Sequence, residues 1–240
     1  ITCRDWSSDV CSSDLGTKIA VIESRWHAPG NGIKKNTSVR PLFEFLSDIH
    51  FGNHHSFDYE MVATQRALDE ALQRLALSRG VTVAYLAMHG NDNGLHLHSG
   101  ERVSRTHLKN TLRDITAQNG AALSGLFLGS CLFGARSLAE FVFRNDVSLT
   151  WIAGYNQSVD FVSATSLDLL FFNTLLAVRN EKPNLSKLQR IKEVARRLRV
   201  EVPGLCKTPD ENDDPDCGLG FSVFIRRRGP VRGVTDLIRE

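Results

Sequence analysis

The sequence predicts an α/β protein in which strands and helices alternate in layers around a mostly parallel sheet, and three observations predict it. Short apolar runs at 17–24, 81–88, 123–128, 149–153 and 220–225 are rich in β-branched and aromatic residues, the pattern of strands buried on both faces. Segments of helical period lie between them, as layered α/β folds require. The chain has 240 residues, 42% hydrophobic and 23% charged, with no internal repeat or flexible linker, so one domain with one substantial core is expected over 16–240.

The first fifteen residues stand apart. They repeat Ser-Ser-Asp at 7–9 and 12–14 with no hydrophobic period and read as translated sequencing-adapter sequence, a non-native leader to be set aside, with the natural start upstream of Gly16. The first strand, 17–24, leads into a turn-rich loop at 25–32 containing Pro29, Gly30 and Gly32. A short apolar helical face follows at 38–46. Residues 57–60 open a long amphipathic helix through Met61, Ala67, Leu68, Ala71, Leu72 and Leu75, which Gly80 ends.

The strand at 81–88 runs directly into His89-Gly90, and the turn and alternation over 91–103 mark a small hairpin. Ser104 caps a helix at 105–116 with Leu108, Leu112 and Ile115 on its buried side. Gly120 separates it from the strand at 123–128, which ends in Gly129-Ser130-Cys131. A short helix at 137–143, a strand at 149–153, a helix capped by Ser163 or Thr165 and running to about 179, a helix with a basic outer face at 185–198, and a last strand at 220–225 complete the series.

Composition excludes several classes. A formal charge of +2 is too small to argue for nucleic acid, and the basic clusters Arg196-Arg197 and Arg226-Arg227-Arg228 lack interleaved aromatics. The apolar stretch 167–178, interrupted by Asp168 and Asn173, is too short to span a membrane. Without the leader the cysteines are Cys131, Cys206 and Cys217; an odd number without framework spacing points to a reducing, cytoplasmic setting and a thiol kept for chemistry.

No metal or cofactor is expected. His96 and His98 alternate on one strand but have no third ligand nearby. The acidic loop 210–216 has Pro215 where an EF-hand needs glycine and Phe221 where it needs glutamate. Cys206 and Cys217 flank that loop, and spacing alone does not say whether they approach each other. No Gly-rich phosphate loop follows the first strand, which argues against a nucleotide-binding domain.

Two runs carry the chemistry. Ligands of open α/β sheets bind outside the carboxyl ends of the strands, so His89 at one strand end and Cys131 at a neighbouring one would face the same crevice as nucleophile and base. Gly134 and the helix near 137 would place free N–H groups and a positive dipole end near the sulfur, favouring thiolate. The amides of Gly90 and Cys131 are natural donors to an oxyanion. Taken singly, a buried structural cysteine and a satisfied structural histidine are the plainer readings; the pairing of two strand ends is what raises the chemical one.

The matching residues are Tyr85-Leu86-Ala87-Met88-His89-Gly90, Phe127-Leu128-Gly129-Ser130-Cys131, and Trp151-Ile152-Ala153-Gly154-Tyr155 with Asp160 and the helix after it. Over about 17–180 the chain resembles the caspase-like clan of cysteine peptidases, and within it the CHAT-type domains related to separase; the 42-residue separation of His89 and Cys131 is also similar. The resemblance implies a caspase-hemoglobinase-like three-layer α/β/α sandwich and a His89/Cys131 dyad cleaving peptide bonds. It further implies an effector domain acting on a protein or peptide substrate beside a regulatory or sensor module.

Two residues of opposite charge compete for the substrate pocket. Asp160 resembles the acidic residue with which related peptidases select Arg or Lys, whereas Arg25 would select an acidic residue as caspases do. The alternative function is a catalytically silent caspase-like domain serving as an interaction module.

Overall fold

The computed structural model describes residues 18–26, 37–53, 57–78, 80–118, 122–145, 147–206, 218–227 and 233–240. In chain order the elements are β1 (Lys18–Glu23), α1 (Arg40–Phe51), β2 (Asp58–Met61), α2 (Gln65–Leu77), β3 (Val81–Ala87), β4 (His89–Asn91), β5 (Gly94–His96), β6 (Arg102–Val103) and α3 (Arg105–Thr116). There follow β7 (Gly125–Gly129), α4 (Arg136–Arg144), β8 (Trp151–Tyr155), α5 (Phe161–Glu181), α6 (Lys187–Glu201), α7 (Pro203–Cys206), β9 (Phe221–Arg226) and β10 (Val234–Asp236).

Seven strands form the central sheet in the order β10-β9-β8-β7-β3-β1-β2, and β4-β5-β6 form a small separate one. The pairs β2/β1, β1/β3, β3/β7 and β7/β8 are parallel, while β9 runs against both β8 and β10. Side chains alternate between the two faces of a strand. Ile19, Val21, Tyr85 and Phe127 join a core with Phe43 of α1, Phe171 and Phe172 of α5, and Ile191 of α6. Ala20, Ile22, Leu86 and Leu128 join a second core with Leu72 of α2, Leu112 of α3 and Val142 of α4. The result is the expected three-layer α/β/α sandwich with a mostly parallel sheet, and two-sided burial is why its strands read as nearly unbroken apolar runs.

Several boundaries differ from the sequence reading. Residues 57–60 do not open a helix: Asp58–Met61 is an edge strand paired in parallel with β1, and the helix begins only after Thr64, whose hydroxyl accepts from the Ala67 amide. The pairing partner across the sheet decides this, and local periodicity does not carry that information. The helix at 161–181 is capped by Asp160 and not by Ser163 or Thr165. Starting there makes it 21 residues, longer than the run at 167–178, and among the described residues it is the one helix long and apolar enough to cross a membrane. Its apolar face is spent on the core: Phe171 and Phe172 are wholly buried, each worth roughly 1.5–3 kcal/mol.

The hairpin gains a third strand, β6, and β10 adds an unforeseen strand beyond β9. Ser104 caps α3 as expected, accepting from the His107 amide. The leader 1–15, most of the loop at 25–32, Gly120, the acidic loop 210–216, Cys217 and Arg228 lie outside the described residues.

Candidate active site

β3 and β7 are parallel neighbours whose last paired residues are Ala87 and Gly129. His89 and Cys131 each stand two residues beyond that pair, so both leave the same edge of the sheet. Cys131 is half-buried and His89 exposed. The two tips touch: a Cβ on Gly90 would lie 2.8 Å from the Cys131 carbonyl oxygen and 3.0 Å from Ser130 Cβ. Only glycine admits that approach, which is the physical reason for a His-Gly pair here.

Both residues line one cleft, with Trp26, Tyr85, Gly129, Ser130, Val159, Asp160, Phe161, Ala164, Thr165 and Asp168. The Cys131 Sγ sits 3.5 Å from both the carbonyl oxygen and the amide nitrogen of Val159, a donor and an acceptor for either protonation state of sulfur. His89 Nε2 lies 2.5 Å from the Trp26 carbonyl oxygen. A carbonyl can only accept, so Nε2 carries the proton and the Nδ1 lone pair of the neutral ring is left for chemistry. The Trp26 ring stands edge-on to His89, with centroids 5.1 Å apart.

A tight turn follows the cysteine. Leu132 has φ 61°, and the Phe133 amide donates to the Cys131 carbonyl at 2.6 Å, a γ-turn of the strained hand. Such backbone costs on the order of 1–3 kcal/mol and concentrates at functional sites. The Leu132 amide donates to Gln157 at 3.1 Å, tying the turn to the segment that carries Val159 and Asp160.

Asp160 lines the cleft, but its Oδ1 accepts from the Val162 and Ser163 amides at 3.0 Å each as the cap of α5. Hydrogen bonding from Ser163 holds its carboxyl below its ordinary range. Arg25 is exposed and is not among the residues lining the cleft. Gly90 and Cys131, whose amides are the expected oxyanion donors, adjoin each other; Cys131 lines the cleft, and Gly90 stands beside it without being part of the lining. Gly134 packs tightly on the backbone of Gly154 and Tyr155, and α4 begins two residues later at Arg136.

Asp168, read in the sequence only as an interruption of an apolar run, is a wall of this cleft. It is 2% exposed and accepts from Tyr85 at 2.5 Å and from Tyr155 at 2.6 Å. Burial raises its pKa from 3.8 to about 7, against the lowering effect of the two hydroxyls. The same burial pushes both tyrosines well above their ordinary value, so they remain donors. The available signal was a carboxylate inside an apolar helix; its partners, 83 and 13 residues away, could not be read from the chain. Ser130, 2% exposed with an unpartnered hydroxyl, is a second cleft residue not singled out earlier.

His96 faces His89 across the β4/β5 pair, while His98 lies beyond β5. No group of three metal-binding side chains occurs among the described residues. Cys206 is free and buried, and burial pushes its thiol up to about 11.

Fold and cleft define an α/β protein in which a cysteine and a histidine converge at the carboxyl edge of a mostly parallel sheet. No family model matches the chain, and no curated protein matches it. Among solved structures, caspase-1 from Spodoptera frugiperda is similar to it, with a TM-score of 0.47 and 11% identity over 92% of this chain and 95% of that one.

Proposed function

We propose that this protein is a cysteine endopeptidase using Cys131 and His89. The observation that carries the proposal is the contact of two adjacent parallel strand tips, which delivers an imidazole and a thiol to one cleft. The Cys131 thiolate attacks the substrate carbonyl carbon, and the amides of Gly90 and Cys131 bind the oxyanion. The imidazolium of His89 protonates the leaving amine, then the neutral ring takes a proton from water as that water attacks the thioester. Cys131 is released and the acid product leaves.

The substrate side chain before the scissile bond is Arg or Lys in this reading. Its support is a cleft with carboxyls at Asp160 and Asp168 and Arg25 outside its lining. Free thiols at Cys131 and Cys206 support a cytoplasmic setting, and the family resemblance supports a regulatory or sensor module as partner.

The test compares wild type with Cys131→Ala on fluorogenic peptides ending in Arg, Leu and Asp, with labelling of Cys131 by a peptidyl acyloxymethyl ketone. Wild type should be labelled and cleave after Arg, and Cys131→Ala should lose turnover while keeping its thermal midpoint. Turnover by Cys131→Ala rejects the nucleophile. Cleavage only after Asp removes the two carboxyls from the specificity argument. A folded protein that is neither labelled nor active is the silent interaction module instead.

A further inference from the structure

We propose that Glu23 is a positioning residue for this reaction, holding through Trp26 the backbone carbonyl that orients His89; the inference rests on the dyad reading above. Glu23 closes β1 and continues the sheet face of Ile19 and Val21, where an apolar side chain would be the ordinary choice. It is a carboxylate with only 1% exposure. Its Oε1 accepts from Trp26 Nε1 at 3.1 Å and the Val39 amide at 3.2 Å; its Oε2 accepts from Ser38 at 2.7 Å and Tyr59 at 2.8 Å. Burial pushes the Tyr59 hydroxyl up to about 12, so it stays a donor.

Among the described residues Glu23 has no cationic partner: four neutral donors from three chain segments converge on it. Burying a carboxylate is unfavourable even when hydrogen-bonded, so an arrangement of this kind marks a position with a task. The task visible here is Trp26. Its indole is held by Glu23 at Nε1 and flanked edge-on by His89 and by Phe161, whose centroid is 5.4 Å away. Fixing the indole fixes the carbonyl of the same residue, the acceptor of His89 Nε2. That acceptor holds the tautomer and strengthens its hydrogen bond when His89 becomes imidazolium, as the thiolate–imidazolium pair requires.

Trp26→Phe keeps a ring edge against His89 and Phe161 but removes Nε1–H. Glu23→Gln keeps the volume but removes the charge. The readout is the pH dependence of Cys131 alkylation by iodoacetamide in the full chain, measured on the Cys131 peptide by mass spectrometry, with kcat and KM on the best peptide. Weaker support of the imidazolium moves the acid limb of the alkylation profile to higher pH, by about half a pH unit or more, and lowers kcat about 5- to 20-fold with KM within about twofold. A merely structural role lowers the thermal midpoint without moving the limb.

His89→Ala separates the two levels. If it leaves the Cys131 profile where wild type has it, the dyad reading falls. If it moves the profile while Trp26→Phe and Glu23→Gln do not, the positioning role alone falls. Should Glu23→Gln fail to fold, Trp26→Phe decides the matter.

Discussion

Replacing Asp168 by Asn should stabilise the protein by an amount that grows as pH rises from about 4 to about 7 and stays at its full value above that. The native carboxyl lies at the wall of the cleft with a pKa raised from 3.8 to about 7. Between those values the folded protein holds a proton that the unfolded chain has released, so stability falls as pH rises. At about 1.4 kcal/mol per pH unit, ionised Asp168 costs on the order of 4 kcal/mol once pH exceeds its folded pKa. The neutral acid fits the network: it donates to the Tyr155 oxygen, whose own hydroxyl turns to the Ala164 carbonyl at 3.0 Å, while Tyr85 still donates to Oδ2. Asn reproduces that pattern, its amide donating to Tyr155 and its oxygen accepting from Tyr85, at every pH. Urea denaturation of both proteins should show the gap in favour of Asp168→Asn widening by about 3 kcal/mol between pH 4.5 and pH 8. Other titrating groups cancel in that difference, so a gap that stays the same at both pH values refutes the reasoning.

Two further outcomes follow from the same geometry. If Asp168 takes part in choosing the substrate, cleavage after Arg relative to Leu should rise as pH passes through 7, where its carboxyl ionises, and Asp168→Asn should flatten that rise; a parallel pH dependence in both proteins argues against it. Gly90→Ala puts a methyl 2.8 Å from the Cys131 carbonyl oxygen and must part the strand tips. It should lower kcat/KM about 10- to 100-fold and stability by about 1–3 kcal/mol, and undiminished turnover would contradict the touching-tip geometry.

Much of the fold could be read from local pattern, because burial on both faces leaves a mark on every residue of a strand. The runs that became β1, β3, β7, β8 and β9 were found that way, as was the Ser104 cap of α3. His89 and Cys131 were legible for a related reason: each follows a buried strand directly, and a strand end in an open sheet is where side chains meet a ligand. The edge strand β2 was misread because its side chains are only partly buried and so lack a two-sided apolar signal.

What only the tertiary structure decided is which groups stand around those two residues. The Trp26 carbonyl lies 63 residues from His89 in sequence, the Tyr85 hydroxyl 83 from Asp168, and the Tyr59 hydroxyl 36 from Glu23. Asp160, which resembles a pocket acid in the sequence, lines the cleft and also caps α5, and a second, buried carboxyl of the lining is Asp168. Hydrophobic period records which face of an element is turned inward; it does not record what lies opposite. Hydrogen bonds between polar groups from distant segments depend on strand order and register, and these arise only when the whole chain packs.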